Sequence, residues 1–144
     1  MKEFFSLPSK KRKEIIKKIK EILQNKEEIL FAYIYGSFLG DPVFRDIDVG
    51  IYLKPEHFTK EKGSYKYTFK IAGTIEEKIG RAPIVDLKVL NEAPFYFLNN
   101  IFSRGELLFN KNEEFLGDLI EDISSRYLQY RPLAEQYLRE RLKS

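Results

Sequence analysis

The sequence predicts an α/β (α+β) fold, with a small central β-sheet flanked by helices and a helical C-terminal third. Three observations predict it. Helix-spaced and strand-like apolar segments alternate through the first two thirds, a nearly continuous β-favouring run stands among them, and beyond Asn91 the spacing turns helical. With 43% apolar and 15% aromatic residues, the 144-residue chain can build one core and has no room for a second large one. The expected organisation is a single domain over 1–144, its sheet at approximately 26–92 and its C-terminal helices at approximately 93–144.

In Ser9–Gln24 the residues Ile15, Ile16, Ile19, Ile22 and Leu23 recur at helical spacing with lysines opposite, which predicts an amphipathic first helix. Ser6 or Ser9 can cap it, Pro8 suits its first turn and Asn25 offers a stop. Ile29–Tyr35 reads as a strand buried on both faces that stops at Gly36. Asp46–Leu53 alternates polar and apolar residues before Pro55 breaks it, a second strand beside the first. Residues 54–66 are polar, contain Gly63 and Ser64, and form a loop leading to a helix over 67–79 that Gly80 ends. A third strand is predicted at 84–90. Then follow a helix over 93–102, a short Leu107-Leu108-Phe109 piece and a long amphipathic helix over 113–130. Pro132 is expected to interrupt it, with a last helix reaching Leu142.

Composition closes several routes. Without cysteine there are no disulfides, thiolate nucleophiles or Cys-ligated zinc, as suits a reducing compartment. No apolar run approaches the ~20 residues that span a bilayer, and residues 1–20 are charged and amphipathic, so a soluble cytoplasmic protein is expected. Twenty-five basic residues against 22 acidic give a net charge of +3, a near balance that alone decides nothing, and with no recognisable RNA-binding motif direct nucleic-acid binding is not expected. A metal must use oxygen ligands or His57, which lies in the polar loop with no local partner and reads as a bystander.

The chemistry lies in the carboxylates. In Asp46-Ile47-Asp48 the two acids are two apart, so on a strand both project from one face while Ile47 points to the other. Like charges on an apolar strand are costly unless a cation neutralises them, and such oxygen ligands suit magnesium. Asp86 interrupts the apolar Ile84-Val85 in the same way, and a neighbouring strand can bring it beside the first two. Three carboxylates can hold two Mg2+ ions, which would activate an attacking hydroxyl and stabilise leaving pyrophosphate. Gly36-Ser37 follows a buried strand, where glycine lets backbone approach a phosphate and the serine hydroxyl can donate to it. Each feature alone is common. Their order along the chain is far more specific and points to nucleotidyl transfer.

Tyr35-Gly36-Ser37-Phe38-Leu39-Gly40, followed by Arg45-Asp46-Ile47-Asp48-Val49, resembles the signature of the DNA polymerase β superfamily of nucleotidyltransferases, and more narrowly the minimal nucleotidyltransferases, or MNT proteins. The resemblance continues through Ile84-Val85-Asp86-Leu87-Lys88-Val89-Leu90-Asn91-Glu92-Ala93-Pro94 and Arg104-Gly105-Glu106-Leu107-Leu108-Phe109, and covers most of the chain. It implies a small mixed sheet flanked by helices, with Asp46, Asp48 and Asp86 as catalytic metal ligands and Gly36 and Ser37 binding nucleotide. MNT proteins are similar to the antitoxins of modules whose toxin is a HEPN-domain ribonuclease. The implied reaction is transfer of AMP from ATP, with Mg2+, to a tyrosine of that toxin. Eight residues separate Ser37 from Asp46, fewer than the family's commonest spacing, and Arg45 replaces a frequent serine, which alters the loop over the triphosphate.

Other features stay open. The run Lys10-Lys11-Arg12-Lys13 reads as a solvated helix face or as phosphate contacts, and Arg45 as a phosphate contact or an exposed ion-pair partner. Lys88 either neutralises a phosphate or pairs with an aspartate. The C-terminal aromatics, among them Tyr127, Tyr130 and Tyr137, serve the core or a toxin interface. Transfer to a small molecule or an RNA end uses the same chemistry. A protein that masks a toxin without catalysis is the reading from another class.

Overall fold

Strand β1 (Ile29–Tyr35) is buried at all seven positions, and the reason is its place at the middle of the sheet. Strand β2 (Asp46–Leu53) pairs with it antiparallel on one side and β4 (Glu106–Asn110) antiparallel on the other. Strand β3 (Ile84–Val89) lies parallel to β2, joined to it by helix α2 (Tyr65–Ile79), so the mixed sheet runs β3-β2-β1-β4. Helices α1 (Ser9–Gln24), α3 (Phe95–Arg104) and α4 (Glu113–Lys143), with a short 3-10 turn at Pro55–His57, are the remaining elements among the described residues. The computed structural model describes residues 3–80 and 83–143.

The period-two alternation of strands sorts side chains onto two faces. Ile47, Val49, Ile51 and Leu53 join Ala32, Ile34, Val85 and Leu87 under α1 and α2, which contribute Ile15, Ile19, Leu23, Ile71 and Ile75. The opposite face carries Phe31, Tyr33 and Tyr35 against Leu98 and Ile101 of α3 and Leu116 and Ile123 of α4. A register shift between Ile29 and Phe31 breaks the alternation once, so that Leu30 and Phe31 both serve this second cluster.

Two expectations are corrected. Leu107-Leu108-Phe109 lies in a fourth strand inside the supposedly helical third; Gly105 ends α3 and turns the chain back along β1. Pro132 does not interrupt α4. Proline in a helix interior costs about 3 kcal/mol, but α4 is already anchored on the core through Leu116 and Ile123, and an existing helix extends more easily than it nucleates. Smaller differences concern the termini. Pro8 takes the N-cap of α1 with no side-chain cap from either serine, Asn25 closes that helix as expected, and α2 starts two residues early, behind Ser64. No helix among the described residues is long and apolar enough to cross a membrane.

Candidate active site

Gly36 ends β1 with φ at 83°, a left-handed conformation that side chains rarely adopt. Space excludes a side chain there too, because a β-carbon would collide with the Asp48 carboxylate. The glycine therefore brings the turn against β2. Ser37 follows, half-buried, and the backbone closes two overlapping turns, Leu39 donating to the Gly36 carbonyl at 3.3 Å and Asp41 to that of Ser37 at 3.0 Å. The loop's far end is pinned by a two-residue bridge, Phe5 and Phe44 exchanging backbone hydrogen bonds of 2.7 and 3.0 Å.

Asp46 and Asp48 project from one face of β2, both half-buried. On that face Tyr35 stands opposite Asp48 from β1 and Asp86 stands opposite it from β3, so three strands deliver side chains to one rung. Asp46 is two residues nearer the strand start, level with Ile84. Lys88 donates to Asp86 at 3.2 Å, an ion pair in which both side chains stay about half exposed. Among the described residues no set of three acidic or histidine side chains converges tightly enough to enclose a metal ion. Asp48 and Asp86 are brought level, then, and Asp46 onto their face, without closing into a cage.

Electrostatics marks Asp48 as the stressed member. Its carboxyl is pushed up to about 6 by burial first, then by Asp86, with Lys88 opposing and Asp46 adding to the rise. Tyr35 is also pushed up, by burial and then by Asp48 and Asp86. Its hydroxyl is buried and has no hydrogen-bond partner among the described residues. Sequence reasoning placed Tyr35 in the strand and at the head of the Gly36-Ser37 motif but gave it no role at the site. Its parity with Asp48 across a β-pair was the available signal, readable once the register was known. Arg45 lies 5.6 Å over the Phe4 ring, a stacked position that neither reading anticipated.

A family model described as "Polymerase beta, Nucleotidyltransferase" matches residues 17–114. No curated protein sequence matches the chain. Among solved structures, similar folds occur in the tri-AMPylated Shewanella oneidensis HEPN toxin in complex with MNT antitoxin, with TM-score 0.66, 17% identity, and 92% of this chain and 99% of that one covered. A toxin–antitoxin structure with AMP-PNP matches at TM-score 0.67 and 18% identity, covering 90% and 98%. The toxin–antitoxin MntA-HepT matches at 0.61 and 16%, covering 95% and 100%. At such identities the likeness is one of fold.

Proposed function

Because the chain belongs to the polymerase β nucleotidyltransferase family, we propose that it is an antitoxin that transfers AMP from ATP to a tyrosine hydroxyl of a HEPN ribonuclease toxin. One observation carries the chemistry: Asp48 lies level with Asp86, shares a face with Asp46, and abuts the Gly36 turn. The acceptor is supported by the similar folds, which come from complexes of an MNT antitoxin with a tri-AMPylated toxin and of a toxin–antitoxin pair with AMP-PNP. In this reading residues 1–144 act as one nucleotidyltransferase domain, at work in the cytoplasm where ATP is plentiful.

The donor set suits magnesium. Three carboxylates share one face, and Asp48 is held up at about 6 by burial first and then by Asp86, with Lys88 opposing only in part, so a divalent cation would supply the missing charge. Asp46, Asp48 and Asp86 would hold it; bound there, Mg2+ neutralises developing charge on the phosphates and favours ionisation of the attacking hydroxyl. The chain's own groups do the rest. The Ser37 hydroxyl and the amides of its loop bind the triphosphate oxygens, and Asp86 takes the phenolic proton. The tyrosine oxygen bonds to the α-phosphorus as the bond to the β-phosphate bridge breaks, and pyrophosphate leaves.

The decisive experiment is intact-mass spectrometry of the HEPN-type protein encoded beside this chain, incubated with the protein, ATP and Mg2+. Additions of one or more AMP units, lost with Asp46→Asn plus Asp48→Asn, are expected. Suppressed toxicity and co-purification without any mass change would instead establish masking. AMP appearing on RNA or a small molecule alone would establish the other acceptors.

A further inference from the structure

Arg12 belongs to the basic run at the start of α1, yet it neither extends into solvent nor stands free for a phosphate. Its guanidinium donates from Nε to the Leu7 carbonyl at 3.0 Å, from Nη1 to the Phe38 carbonyl at 2.7 Å and from Nη2 to the Pro42 carbonyl at 3.0 Å. It also lies 4.8 Å over the Phe44 ring and 5.6 Å over that of Phe38. Its acceptors thus come from the N-terminal segment and from two places in the loop that starts at Gly36. Phe38 directly follows Ser37, and Phe44 lies two residues before Asp46. A planar group with a fixed fork of donors fixes both positions at once, and an ammonium point charge cannot span them. The helix that carries it is firm, since Ile15, Ile19 and Leu23 are 4% exposed or less.

We infer that Arg12 is a positioning residue for nucleotide binding: it holds the 36–42 loop in the shape in which Ser37 and the loop amides meet the triphosphate, and it acts through that loop without touching the nucleotide. The inference rests on the reading that this loop binds ATP. It separates Arg12 from Lys10, Lys11 and Lys13, whose loss should leave the loop unchanged.

The test measures calorimetric affinity for a non-hydrolysable ATP analogue with Mg2+, alongside amide exchange at Leu39 and Asp41, whose N–H groups close the two turns. Wild type, Arg12→Lys, and a control with Lys13→Ala are compared. Arg12→Lys is expected to weaken binding about tenfold or more, the scale of a lost charge-assisted hydrogen bond, and to speed exchange at both amides while Ile19 and Leu23 stay protected. In turnover, KM for ATP rises while kcat stays within about threefold, because Arg12 is remote from the transferred group. Arg12→Gln, which keeps an amide donor for Phe38, gives a smaller loss of the same kind and serves if Arg12→Lys does not fold. Unchanged affinity in a folded variant overturns the inference, and so does weaker binding with unchanged exchange, which would mean direct nucleotide contact. A wild type that binds no nucleotide overturns the reading beneath it and the inference with it, a result distinct from a variant that merely matches a binding wild type.

Discussion

The two sides of β2 are built from alternating residues of one backbone and have opposite physics. Ile47, Val49, Ile51 and Leu53 are all 0% exposed, against helices α1 and α2, whereas Asp46 and Asp48 keep contact with water. The first side is stabilised by apolar area removed from water and is indifferent to ions. The second gathers like charges and would gain from a cation. A strand whose apolar side is locked can hold repelling groups at fixed spacing on the other, so the cost of the site is met by the core behind it. Such a division of labour makes separable predictions.

The largest effect should come from Asp48→Asn, which removes charge from the acidic side and leaves the apolar side alone. AMP transfer is expected to fall about 100- to 1000-fold, the scale of a lost electrostatic partner in a transition state, while the thermal midpoint without metal holds or rises. A drop in midpoint together with activity would show that the two sides are not separable. Gly36→Ala attacks the join between loop and strand. Positive φ and the collision with the Asp48 carboxylate should lower stability by about 1–3 kcal/mol, read from denaturant midpoints.

Acidification sharpens the contrast. With a chelator present, Asp48 has its folded pKa raised to about 6, above the ~3.9 of an unfolded aspartate. The folded state therefore binds the proton more tightly, and stability should rise as pH falls from 7 through 6 toward ~4. Because Asp48 is partly exposed, the gain is about 1–2 kcal/mol after allowing for solvent screening. Urea midpoints across that range should show it for wild type and not for Asp48→Asn; an identical profile in both would remove Asp48 as its source. The smallest change, Ile47→Val, sits between the two aspartates but faces the core. It should cost about 0.5–1.5 kcal/mol of stability and leave kcat for the transfer unaltered.

Much of the site was readable because strand parity is a local property. The spacing of Asp46 and Asp48 alone puts them on one face, and the continuous apolar run of β1 announces its central position. Asp86 was visible as a charge interrupting apolar residues, but its alignment with Asp48 depends on the β2-α2-β3 crossover and had to be observed. The fourth strand escaped because Glu106 and Leu107 are both exposed, and so short a segment shows no alternation. Arg12 escaped for another reason. Its loop partners Phe38 and Pro42 are 26 and 30 residues away, and nothing in a run of four basic residues distinguishes the one that folds back onto a loop.

The pairing of β1 with β4 also has a consequence in time. A ribosome releases the chain from its N-terminus, so β1, β2 and β3 emerge together with the Gly36 turn and all three aspartates well before β4 does. Until then the outer edge of β1, with the backbone of Phe31 to Ile34 that later bonds β4, stands open as a template for any passing strand. The last strand thus acts as a seal on the nascent chain. Substitutions in β4 that slow its pairing should lower the yield of monodisperse protein during synthesis more than they impair the catalysis of molecules that have already folded.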